Sequence, residues 1–145
     1  MPREPRTAEV GRLFIIHHPV PPELDDAKLE LDRYERFTSR IGRGSILMIT
    51  DKIMPPMGSD VRELYREVAA GDPGVEAMAT VIGGIAGLGA SIMSSIMTQI
   101  FQGRMDIAQR TLHSIDDAAA WLLEVAKLEV DAEQIITVAS ELRAS

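Results

Sequence analysis

The chain is 145 residues long, carries a formal charge of -7 and contains no cysteine. A single domain of that size buries roughly 70% of its unfolded surface, so no internal staple is needed, and the missing cysteines exclude disulfides, thiolate chemistry and Cys-ligated zinc. The acidic balance argues against non-specific binding to nucleic acid or anionic lipid, both of which draw on a positive field. No apolar core of about 7–15 residues follows Arg3 and Arg6, so the expectation is a cytoplasmic protein without a secretory signal.

Residues 1–9 are polar and interrupted by Pro2 and Pro5, which predicts a flexible tail or at most a short edge strand. Leu13-Phe14-Ile15-Ile16, closed by Pro19, Pro21 and Pro22, predicts a buried strand. Leu24, Ala27, Leu31, Tyr34, Phe37 and Ile41 then recur every three or four residues among charged positions. That spacing is an amphipathic helix with an acidic first turn, Asp25-Asp26, and a stop at Gly42 and Gly44. Ser45 to Thr50 is apolar on both faces and predicts a central strand covered on both sides. A loop holding Met54, Pro55, Pro56 and Met57 leads to Ser59, the expected N-cap of a helix with Val61, Leu64, Tyr65, Val68 and Ala69 on one face. Gly71-Asp72-Pro73-Gly74 ends it.

From Ala77 to Phe101 there is no charged residue. Read whole, this stretch has the length of a membrane span, but Gly, Ala, Ser, Thr and Gln dilute it, and it has neither an aromatic belt nor a flanking Lys/Arg cluster. Divided at Gly83-Gly84 it becomes a strand, Ala77 to Ile82, and a helix with Ile85, Leu88, Ile92, Ile96 and Ile100 on one face, ending at Gly103-Arg104. Gly83, Gly87, Ser91 and Ser95 allow that helix to approach a sheet closely. Met93 and Met97, one turn apart, widen its apolar face, so that side is either deeply buried or offered to a partner.

Ile107 to Leu112 alternates in the manner of an exposed edge strand. Ser114 and Asp117 form the expected capping box of a helix with Ala118, Trp121, Leu122 and Val125 on its stripe. A last helix starts at Asp131, with Gln134 three residues on, and buries Ile135, Val138, Ala139 and Leu142. Strands and helices therefore alternate, which predicts an α/β fold with a largely parallel sheet of four or five strands. The expected organisation is a flexible tail over 1–9, an α/β domain over 10–128, and a C-terminal helix over 129–145 that packs on the domain or on a partner, in the second case as a homodimer.

The run Met78-Ala79-Thr80-Val81-Ile82 before a small-residue helix, and Arg110-Thr111-Leu112-His113-Ser114-Ile115-Asp116-Asp117-Ala118-Ala119-Ala120-Trp121-Leu122, resemble the STAS-like family related to bacterial anti-sigma-factor antagonists. The resemblance covers about Leu13 to Leu123 and implies a non-catalytic regulatory module that binds a protein partner. Members with the regulatory switch carry a modified serine at the start of the helix after the second core strand. Ser59 stands in a similar place, in Met57-Gly58-Ser59-Asp60-Val61. The family opens with a strand hairpin; its first strand here is either within Arg6 to Val10 or missing.

The remaining polar residues point to little chemistry. His17 and His18 are adjacent, so on a strand they face opposite ways and cannot chelate one metal. His113 lies near Asp116 and Asp117, but neither a nucleophile nor a phosphate loop accompanies the pair, and capping or solvent exposure is expected there. An enzyme would need a cleft joining His113, Asp116 or Asp51 to another polar group. Gly83-Gly84-Ile85-Ala86-Gly87 matches neither the dinucleotide nor the P-loop pattern, and Asp25-Asp26 and Asp116-Asp117 suit helix first turns. No catalytic residue, cofactor or metal site is expected. Ser59 is either a phosphate acceptor or a plain N-cap. Met54, Met57, Ser59, Asp60, Met93 and Met97 form the candidate partner or regulatory surface. The alternatives to an interaction module are a carrier of lipid or another small hydrophobic ligand and a membrane-associated protein using residues 77–101.

Overall fold

In a computed structural model, the protein is described over residues 6–19, 22–50, 58–70, 74–82 and 107–144. The elements are β1 (Arg6–Val10), β2 (Leu13–His18), α1 (Leu24–Ile41), β3 (Gly44–Thr50), α2 (Ser59–Ala70), β4 (Val75–Ile82), β5 (Ala108–Leu112), α3 (Ile115–Val125) and α4 (Ala132–Ala144). They build one five-stranded sheet in the order β1-β2-β3-β4-β5. β1 runs antiparallel to β2, and β2 to β5 are parallel.

The pleat sorts each strand between two apolar layers. Leu13, Ile15, Leu47, Ile49, Ala77, Ala79 and Val81 meet Ala118, Ala119 and Leu122 of α3 and Ile135 and Ala139 of α4. Phe14, Ile16, Ile46, Met48 and Met78 meet Tyr34 and Phe37 of α1, with Tyr65 of α2 at the margin. The Phe14 ring stands edge-on to Tyr34 at 5.4 Å and lies 5.5 Å from Phe37, an aromatic knot that fixes α1 over β2. Cover on both faces is the reason β2 and β3 bury every residue and read as unbroken apolar runs. β2 extends past Ile16 to take in His17 and His18.

Residues 6–9, expected as a flexible tail or at most a short edge strand, are part of the edge strand β1. Their polar sequence suits the edge position of β1, and α1 holds the strand from the side: Arg33 Nη1 donates to Thr7 Oγ1 at 3.1 Å and Arg40 pairs with Glu9 at 2.7 Å. The hairpin turn is tied to the far end of the chain. Gly11 has φ of 55°, and a Cβ there would lie 2.5 Å from the carbonyl oxygen of Leu128, which accepts the Arg12 backbone N–H at 3.0 Å. Arg12 also donates to the carbonyls of Ile41 and Arg43 at 2.9 and 2.8 Å, satisfying the C-terminal end of α1.

The caps follow the expected chemistry at α3 and α4. Ser114 Oγ accepts the Asp117 N–H at 3.1 Å, while Asp131 and Gln134 exchange reciprocal bonds of 2.9 and 3.0 Å. At α2 the expectation is off by one residue. The carbonyl of Gly58 accepts the first helical N–H, from Arg62, so Gly58 holds the cap position and Ser59 opens the helix. Glycine is itself an acceptable N-cap, and Asp60 Oδ1 accepts the Val61 N–H at 2.8 Å, so the serine hydroxyl is not required there. The helix face from Ile85 to Ile100, with the Gly83-Gly84 break, lies outside the described residues.

Because Gly11 combines a left-handed backbone with close contact to Leu128, Gly11→Ala is expected to destabilise the protein by about 2 kcal/mol or more. Urea unfolding followed by Trp121 fluorescence measures it, and a loss below about 0.5 kcal/mol would contradict the close approach.

Candidate functional site

Along α1 the buried positions are Ala27, Glu30, Tyr34 and Phe37, a 3-4-3 progression that places a carboxylate on the apolar stripe. Glu30 is 2% exposed. An isolated carboxylate in that setting costs several kcal/mol unless donors reach both oxygens, and two neighbouring elements supply them. His18 Nε2, at the carboxyl end of β2, lies 2.6 Å from Oε2; the Tyr65 hydroxyl, on α2, donates to Oε1 at 2.9 Å. A carboxylate only accepts, so Nε2 carries the proton in this contact. The cluster joins β2, α1 and α2 at one end of the sheet.

The surroundings of Tyr65 act on its ionisation. Burial first, then the charge of Glu30, the hydrogen bond to it and the charge of Asp26 push its phenol far above the ordinary value of 10.0. It therefore remains a donor throughout the neutral and mildly alkaline range. Beside His18 in the sheet, Thr50 closes β3 and donates from Oγ1 to the carbonyl of Val81 at 3.2 Å.

His17 and His18 face opposite sides of the sheet, as expected, and both are buried, at 1% and 6% exposure. The cause is the position of β2, paired on both edges and covered on both faces. His113 is exposed beyond β5, and among the described residues it has no ion pair or hydrogen bond with Asp116 or Asp117. Ser59 and Asp60 are exposed at the start of α2. Met54, Met57, Met93 and Met97 lie outside the described residues, as does Asp51, so the expected partner surface is described at Ser59 and Asp60 alone.

The polar cluster was missed in the sequence because each member has a commoner explanation: Glu30 as solvated helix surface, Tyr65 as part of an apolar face, His18 as a strand end. The available signal was the spacing from Ala27 through Glu30 to Tyr34, which continues the stripe without a break. Among the described residues no group of three or more His, Asp or Glu side chains is placed to hold a metal ion, and no helix is long and apolar enough to cross a membrane. No family model, curated protein or solved structure matches the chain.

Two outcomes follow from this geometry. Glu30→Ala leaves two donors without their acceptor and is expected to cost about 2–4 kcal/mol, whereas Glu30→Gln retains an acceptor towards Tyr65 and is expected to cost less; chemical denaturation of both variants measures the difference. The phenol of Tyr65 is held protonated when folded above the pH at which the unfolded chain releases its proton. Its contribution to stability is therefore full below about pH 10 and is lost as pH rises beyond that. Above pH 10 the unfolding free energy should fall more steeply for the wild type than for Tyr65→Phe, by up to about 1.4 kcal/mol per pH unit; parallel curves would contradict the assignment.

Proposed function

We propose that the chain is a non-catalytic protein–protein interaction module of STAS-like type, a bacterial regulatory protein acting in the cytoplasm. The observation that carries this reading is the β1–β2 hairpin leading into the parallel strands β2 to β5. A hairpin opening is the feature of that family for which the sequence left Arg6 to Val10 as the only candidate. It adds to the likeness in Met78 to Ile82 and Arg110 to Leu122. The buried cluster favours a binding role in the same way: both oxygens of Glu30 are engaged by His18 and Tyr65, so they join secondary-structure elements.

The layer formed by α3 and α4 gives the partner a chemistry. Between Ser114 and Ser145 the chain carries seven acidic and two basic residues, and Asp116, Asp117, Glu124, Glu129, Glu133 and Glu141 are exposed. Ile135 and Ala139 are fully buried in the chain's own core, and the exposed residues of α4 include Glu133, Gln134, Thr137, Ser140 and Glu141, which are open to a partner, a second copy included. A protein partner with a basic surface fits that face.

Capture of partners from the native host, identified by mass spectrometry, tests the reading. The expected result is a specific protein released by raised salt and lost when Glu124, Glu129 and Glu133 are replaced by Gln. Recovery of lipid or another small apolar molecule bound to the purified protein, with no protein partner, would replace this reading with that of a hydrophobic-ligand carrier.

A further inference from the structure

Helix α2 is held differently from the other helices. α1 is fastened to the sheet by the Phe14–Tyr34–Phe37 cluster, and α3 and α4 share the larger apolar layer. Among the described side chains of α2, Val61 alone is fully buried, while Leu64, Tyr65 and Val68 are half-buried. The hydrogen bond that ties an α2 side chain to another described element is the one from Tyr65 to Glu30. Arg62, on the same helix, has Nε buried without a hydrogen-bond partner, which opposes docking.

We propose that α2 is a detachable helix, latched by the Tyr65–Glu30 hydrogen bond, and that it opens as a unit while α1 and strands β2 to β4 stay folded. Glu30 is suited to be the fixed half of such a latch. His18 grips its other oxygen at 2.6 Å, and α1 is pinned by its aromatic residues, so releasing Tyr65 leaves the carboxylate in place and hydrogen-bonded. Undocking frees one acceptor lobe of Glu30 and exposes Val61, and it breaks no strand pairing. Local opening of this kind belongs to elements with few buried apolar contacts, which describes α2 and no other described helix of this chain.

Hydrogen–deuterium exchange of the full-length protein under native conditions tests it. In the wild type, peptides within 59–70 should exchange faster than those within 44–50 and 75–82. Tyr65→Phe should speed exchange in α2 by roughly tenfold and leave both strands unchanged, and Glu30→Gln, which keeps an acceptor for the phenol, should have a smaller effect on α2. Wild-type α2 as protected as β3, no change in α2 on Tyr65→Phe, or an equal acceleration of α2 and the strands would each overturn the proposal.

Discussion

Strands β2 and β3 bury every side chain they carry, and that two-sided burial constrains the rest of the molecule. A sheet apolar on both faces needs a helical layer on each. Strand order follows chain order, so the connections after β2 and β3 supply helices to one face only, α1 and α2. Among the described residues, the opposite face falls to those after β5. α3 and α4 fill it, which makes the C-terminal helix part of the core, with Ile135 and Ala139 fully buried.

The same constraint explains the polar cluster. Because β2 is covered on both faces up to its last residue, His18 cannot reach bulk water freely and takes its hydrogen-bond partner from α1. Burial of Glu30 on that helix then calls for a second donor, and Tyr65 of α2 provides it. Each polar group makes the next one tolerable, so the three residues form one unit whose removal in part costs more than any single contact suggests. The unit also gives α2 a polar attachment to a core that its own apolar face engages only lightly.

The two sheet edges are handled by different means. β1 is clasped by Arg33 and Arg40 of α1, and α4 packs against it from the other layer. β5 has exposed Gln109 and Arg110, whose polarity discourages uncontrolled pairing with another chain. The link from Leu128 back to the turn at Gly11 joins the last two helices to the first hairpin, so the beginning and end of the domain stabilise one another.

Local interactions made much of the fold legible in the sequence. The periodicity of α1, the apolar runs of β2, β3 and β4, the alternation of β5 and the capping pairs Ser114–Asp117 and Asp131–Gln134 all depend on neighbours within about four residues, which the order of residues states directly. The α/β class with a mostly parallel sheet follows from their alternation. β1 was ambiguous, because an edge strand can be polar on much of its surface and leaves no apolar pattern to read. The burial of His17 and His18, the place of Glu30 in the core and the role of Tyr65 were decided by tertiary structure. His18 lies 12 residues from Glu30, and Glu30 lies 35 from Tyr65. Only the closing of the sheet and the laying of α1 and α2 on one face brings those separated groups within hydrogen-bond reach, and only then does a charge on an apolar stripe become stable.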